Sequence, residues 1–200
     1  MPDIQDRALV SRNLRTIAAL AAVFLLPLVL SFWMYYGSDW RPTGSTNHGE
    51  LIQPVRTLPP VDLRLADGDF APAELFREKW ALVYIGDGAC DETCRHALYF
   101  MRQTRLSLNQ DMTRVSRVFL ATENCCDREF LEREHAGLVV VDAGGPEVTE
   151  LLDTFPDTDR AHSLYIVDPL GNLIMRYDTR DEPKGMLSDL KKLLKLSHIG

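Results

Sequence analysis

Cys90 and Cys94, in the stretch YIGDGACDETC at residues 84–94, have the types and spacing to do chemistry. As thiolates they can attack a disulfide, bind a soft metal ion or close on each other. Three residues separate them, one more than in the common C-x-x-C redox motif. On a helical turn, positions i and i+4 share one face, so two sulfurs placed that way can converge on one metal ion. A disulfide needs only a modest closing of the two Cβ positions, and a purely structural staple would use the same bond. The glycines at 86 and 88 permit a tight turn before a helix start. A helix beginning there directs backbone N–H groups and its positive dipole end toward the thiols, which favours thiolate.

Two thiolates leave zinc short of its usual four ligands. Soft thiolates select Cu(I), and an added imidazole suits copper in either oxidation state. The chain has five histidines. His48 falls in a Gly- and Pro-rich segment and His198 near the end of the sequence, so both read as solvated. His96, two residues after Cys94, points away from the shared cysteine face, and His135 closes a charged helix. His162 opens the strand-like run HSLYIVD and is the candidate third ligand. A lone histidine at a strand start is more often an ordinary surface residue; the cysteines are what single it out.

Cys125 and Cys126 are adjacent. They read as a resolving pair for Cys90 and Cys94, an auxiliary copper site, or a structural element of their loop; four cysteines permit three pairings. Asp87, Asp91 and Glu92 read as a solvated loop whose charge would raise thiol pKa values. Tyr84, Tyr99 and Phe100 read as core and helix packing. No GxGxxG, GxxxxGK or HExxH pattern occurs.

The elements that must position these residues alternate. Apolar, β-branched or aromatic runs at 80–86, 117–122, 138–142, 162–168 and 173–178 predict strands, several of them buried on both faces. Helical patterns fall at 94–108, 128–135, 147–155 and 185–196. In the last of these, Met186, Leu187, Leu190, Leu193 and Leu194 recur at 3/4 spacing opposite Asp189, Lys191, Lys192 and Lys195. DPLGN at 168–172 predicts a turn between two antiparallel strands. The order implies a mixed α/β sheet flanked by helices, and in such sheets reactive groups gather at the carboxyl ends of strands, where the Cys90 loop falls.

Residues 17–36, IAALAAVFLLPLVLSFWMYY, carry no charge over twenty positions and close on Trp33, Tyr35 and Tyr36, which predicts a transmembrane anchor rather than a cleaved signal. Arg7, Arg12 and Arg15 precede it, with Asp39 and Arg41 just after it, so the positive-inside rule leaves residues 1–16 in the cytoplasm. Residues 37–60 lack apolar periodicity and read as a flexible tether, and 61–200 as one domain. Two acids and three arginines precede the span, so 27 acids face 19 bases beyond it, a net −8. That balance argues against nucleic acid and against an anionic lipid surface as partners.

Anchor, tether, α/β domain, YIGDGACDETC after the first long strand and HSLYIVDPLGN near the end together resemble the Sco/SenC family of copper-binding cytochrome c oxidase assembly proteins, over roughly residues 60–195. The resemblance implies a thioredoxin-like fold. In that family a C-x3-C pair and a distal histidine followed by serine bind copper; on this chain these are Cys90, Cys94 and His162, for Cu(I) and also Cu(II). Asp168, Pro169 and Gly171 match the family's hairpin. The resemblance implies a copper carrier rather than an enzyme. Its role would be to deliver copper to, or reduce the cysteines of, the binuclear copper centre in cytochrome c oxidase subunit II or another cuproprotein, from an inner-membrane anchor with the domain in the periplasm.

The chain departs from the family where Asp91 and Arg95, not prolines, follow the cysteines, and ATENCCDREFLERE replaces the usual Asp-Pro-x-x-Asp-Thr run, marking a divergent member. The enzymatic alternative is a membrane-anchored thiol–disulfide oxidoreductase in which Cys90 attacks and Cys94 resolves. Against it, thioredoxins usually place a cis-proline where this chain has Ala161-His162-Ser163. A third reading is a binding or sensing domain in which the cysteines only staple the loop.

Overall fold

The computed structural model describes residues 4–37, 46–197 and 199. The expectations for Asp39, Arg41, the first part of the tether (38–45) and His198 lie outside the described residues. The chain divides into two units, Met1–Ser45 and Thr46–Gly200.

The first unit contains α1 (Ile4–Gly37), with Pro27 inside it. Its segment Asn13–Gly37 is long and apolar enough to cross a membrane. Phe24, Trp33 and Tyr35 are 76%, 64% and 79% exposed, an apolar surface that water disfavours and lipid would cover.

The second unit is built on a seven-stranded sheet: β1 (Glu50–Thr57), β2 (Arg64–Leu65), β3 (Trp80–Gly86), β4 (Val115–Ala121), β5 (Val139–Asp142), β6 (Ser163–Val167) and β7 (Asn172–Asp178), in the spatial order β1-β7-β6-β3-β4-β5-β2. The helices are α2 (Glu92–Leu106), α3 (Arg128–Glu134), α4 (Thr149–Thr154) and α5 (Pro183–Leu196). β3, β4 and β5 run parallel, as strands joined by helical crossovers must, while β6 lies antiparallel to β3 and forms a hairpin with β7. At the hairpin turn Asp168 Oδ1 accepts from the amides of Leu170 and Asn172, and Gly171 takes the positive φ (85°) that the turn requires.

Alternation along the central strands divides the core. Leu82, Tyr84, Phe119, Leu164 and Ile166 face one way and pack with α2, α5 and the start of α3. Ala81, Val83, Ile85, Val118, Leu120 and Tyr165 face the other, against α4, Phe155 and the irregular segment carrying Leu58, Leu63 and Phe76. Both faces are covered, which is why β3 reads as an unbroken apolar run. This is the mixed sheet that the sequence predicts.

Three features differ from expectation. Residues 50–57 of the segment read as a tether form β1 along β7; only Ile52 of the strand is buried and Pro54 interrupts it, so it leaves no apolar alternation to detect. β2 is two residues long and pairs antiparallel with β5. Asp189, expected on the polar face of α5, is buried. It accepts from the His48 and Gly49 amides, His48 Nδ1, the Tyr177 hydroxyl and, at 3.4 Å, Lys192 Nζ, so five donors replace its lost hydration. His48 is mostly exposed but held by this contact rather than free.

Candidate functional site

The cysteine loop leaves β3 at Gly86 and turns on itself before α2. Cys90 N–H donates to the Asp87 carbonyl at 3.1 Å and Ala89 N–H to Asp87 Oδ1 at 2.9 Å. Cys90 has φ of 51°, a left-handed conformation sparsely used by residues with a side chain. Asp91 is the N-cap of α2, its carboxylate accepting from Cys94 N–H at 2.9 Å. Cys90 and Cys94 form a disulfide. Their i, i+4 spacing therefore does not place both on one helical face as the sequence reading supposes, since Cys90 precedes the cap and only Cys94 is helical. Asp91, read as a solvated charge, is a structural cap, and Glu92 opens the helix near its positive end.

A second loop leaves β4, the parallel neighbour of β3, and carries Cys125 and Cys126, disulfide-bonded to each other. The loops are stitched together: Gly88 N–H donates to the Glu123 carbonyl at 2.7 Å, Asp127 N–H to the Gly88 carbonyl at 3.0 Å, and Asn124 Nδ2 to both Asp87 carboxylate oxygens. A methyl group on Gly88 would lie 2.7 Å from Cys125 Cα, so only glycine permits this approach. Arg95 completes the link by donating to the Cys90 carbonyl and pairing with Asp127.

His162 ends a 3-10 turn (Arg160–His162) that packs against α2 and β3 and leads directly into β6. Leu164 lies opposite Tyr84, and continuing that antiparallel register sets His162 level with Gly86, where the Cys90 loop begins. The half-buried His162 is fixed through its backbone, donating to the Asp159 carbonyl and accepting from Thr179 N–H. The buried Tyr84 hydroxyl donates to the Ala161 carbonyl at 3.1 Å; burial, then the charge of Asp91, raises its pKa beyond the ordinary tyrosine range. Asp178 is held down at about 2 by its hydrogen bond to Arg180.

Cys90, Cys94 and His162 thus occupy one end of the sheet. With both sulfurs bonded to each other, no three His, Cys, Asp or Glu side chains form a metal-holding group among the described residues. His96 takes no part in any group of that kind. Of the three aromatics read as core and helix packing, Tyr84 and Phe100 are buried and Tyr99 is 57% exposed. It lines a cleft of about 250 Å³ with Arg95, Arg102, Phe130, Arg133 and His135 beside the cysteine loops. His135, read as a helix-end residue, is buried: desolvation, reinforced by Arg117 and Arg102, pushes its pKa down to about 4. Arg117 is also buried and lowered to about 10, first by burial and then by Arg105 and Arg102. The sequence gives no periodic signal for either, although a lone charge in the mostly apolar run of β4 marks a side chain in need of a partner; here Arg117 Nη2 donates to the Ala136 carbonyl.

A family model described as transmembrane-like, thioredoxin-like, C-terminal domain matches residues 80–197. No curated protein matches the sequence. Among solved structures, yeast Sco1 with copper bound is 16% identical with a TM-score of 0.61, covering 70% of this chain and 93% of that one. Apo Sco1 from Thermus thermophilus is 17% identical with a TM-score of 0.61, covering 76% and 99%. BsSco, described as a Sco-family cytochrome c oxidase assembly protein with a disulfide switch, is 14% identical with a TM-score of 0.54, covering 72% and 96%. At such identities the likeness is one of fold. The chain belongs to the family of transmembrane-like, thioredoxin-like C-terminal domains, and its fold is the one it shares with the Sco/SenC proteins.

Proposed function

We propose that the chain is a membrane-anchored copper carrier whose Cys90–Cys94 pair cycles between a disulfide and a copper-binding dithiol. The observation that carries this reading is that the Cys90–Cys94 disulfide and the 3-10 turn ending in His162 lie at the same end of the sheet. Two-electron reduction would free both thiols. Cys94 then sits in the first turn of α2, where the helix dipole favours thiolate, while the nearby Asp91 carboxylate works against it. Two soft sulfurs select Cu(I) as cargo, and the added imidazole suits copper in either oxidation state. The cargo would pass by ligand exchange to cysteines of an acceptor. Yeast Sco1 holds copper and BsSco is described as an oxidase assembly protein, which supports cytochrome c oxidase subunit II, or another cuproprotein, as that acceptor.

In this proposal residues 1–16 lie in the cytoplasm, 17–36 span the inner membrane and the domain works in the periplasm, an oxidising compartment in which disulfides persist. Residues 37–60 connect anchor and domain, with β1 as the part already bound to the sheet.

The test is a Cu(I) titration of the full chain in detergent, reduced without oxygen, against a competing chelator. One copper per chain is expected, lost in Cys90→Ser and Cys94→Ser and weakened about tenfold or more in His162→Ala. If all three variants hold copper as tightly as the parent, the reading fails. A second reading, thiol–disulfide oxidoreductase, is favoured by the disulfide itself. Metal-free turnover on a disulfide substrate, with copper binding absent, would put it first.

A further inference from the structure

The Cys90–Cys94 bond is poorly placed to meet a protein reductant. Cys90 is 1% exposed and Cys94 2%, within the core cluster that also holds Tyr84, Leu98 and Phe130. Attack on a disulfide needs a thiolate to reach one of its sulfurs, and burial restricts that access for as long as the bond is closed. The second disulfide is built the opposite way. Cys125 is exposed, whereas Cys126 is half-buried and packs against the same cluster as Cys90 and Cys94. The two loops leave adjacent parallel strands, with Gly86 paired to Ala121, and are held in contact by the Gly88–Glu123 and Asp127–Gly88 hydrogen bonds. Side-chain-free Gly88 brings the first loop directly against the Cys125 backbone.

We propose that Cys125–Cys126 is a redox site, the entry point through which an external protein dithiol reduces the buried Cys90–Cys94 bond. The inference rests on the reading of Cys90–Cys94 as a pair that cycles. A thiolate of the external dithiol attacks Cys125 Sγ, breaking the bond to Cys126 and releasing Cys126 as thiolate. The second thiol of the reductant resolves the mixed disulfide, leaving the reductant oxidised and Cys125 and Cys126 as dithiol. Cys126 thiolate then attacks one sulfur of Cys90–Cys94 and expels the other as thiolate. Cys125 attacks Cys126, restores the Cys125–Cys126 disulfide and frees the second cysteine of the buried pair. Two electrons and two protons move from the external dithiol to Cys90 and Cys94, and the relay pair ends as it began.

The test uses the full chain in detergent, metal-free and without oxygen, with reduced thioredoxin as the probe and alkylation of Cys90 and Cys94, read by mass, as the signal. Reduction of Cys90–Cys94 in Cys125→Ser/Cys126→Ser is expected to slow on the order of tenfold or more relative to the parent. Two further double variants test the meeting of the pairs: Cys94→Ser/Cys125→Ser keeps Cys90 and Cys126, and Cys90→Ser/Cys125→Ser keeps Cys94 and Cys126. Mild oxidation should cross-link at least one of them within the chain. A parental reduction rate without Cys125 and Cys126 overturns the proposal. So does a slowed rate with neither cross-link formed, because loop damage would then account for the slowing. A phosphine that leaves Cys90–Cys94 unreduced in the parent would sink the cycling reading and the relay with it. Failure of the phosphine-reduced parent to bind Cu(I) would remove the copper carrier alone.

Discussion

Arg95 donates from Nε to the carbonyl oxygen of Cys90 at 3.1 Å while its guanidinium lies 4.1 Å from the centre of the Phe130 ring. One side chain on α2 thus holds the left-handed cysteine ahead of the helix and rests on α3 behind it. The pair with Asp127 is half-exposed and adds little. Arg95→Ala should therefore destabilise the oxidised protein by about 1–2 kcal/mol, from the lost hydrogen bond and cation–π contact. Denaturant unfolding measures this, and an unchanged midpoint would show that the contact carries no weight.

The cap of α2 makes a second prediction. Asp91 accepts from Cys94 N–H, so Asp91→Ala should cost about 1 kcal/mol, and Asp91→Asn, which keeps an acceptor, much less. Denaturant unfolding of the oxidised protein reads both differences. Equal stability of the alanine and asparagine variants would contradict the capping role.

His135 should make the fold sensitive to mild acid. Its pKa is pushed from 6.5 down to about 4 by burial and by Arg117 and Arg102, with Glu134 opposing. As pH falls below 6.5 the unfolded chain takes up this proton first, so stability drops between about pH 6.5 and 4 and this group's contribution then levels off. The loss is at most about 3 kcal/mol. His135→Leu, keeping an apolar side chain against Phe130, should flatten that part of the stability profile. A parental slope in the variant would assign it to other groups.

Asp189 ties the residues before β1 to α5. Burial works against its charge, yet the His48 and Gly49 amides, the His48 ring and the Tyr177 hydroxyl hold its pKa below the ordinary value. Asp189→Ala strands those donors and should cost about 3 kcal/mol or more, while residues 46–49 become open to protease. Limited proteolysis with mass mapping would detect the release; a protected segment in a destabilised variant would mean that other contacts hold it.

Most of the scaffold is legible because buried strands and amphipathic helices leave periodic traces. The run expected at 80–86 is β3 itself, and the DPLGN turn joins β6 to β7 as its residues demand. Helix α2 begins two residues earlier than expected because Asp91 caps it, a contact that also takes Cys90 off the helix. What escapes the sequence is set by single side chains or by partners distant in the chain. β1 shows only Ile52 to the core, and Asp189 is buried by donors about 140 positions away. The apposition of the two cysteine loops likewise depends on strand order, which places the ends of β3 and β4 side by side.

The sheet ends in β1 on one side and β2 on the other. Pro54 lacks an amide to donate, the register of β1 shifts between Leu51 and Arg56, and β2 offers only two residues. Neither border gives an incoming strand a continuous row of hydrogen-bonding groups to copy, so templated stacking of one domain on another is discouraged from both directions. Chains concentrated on a shared surface would therefore keep their sheets separate.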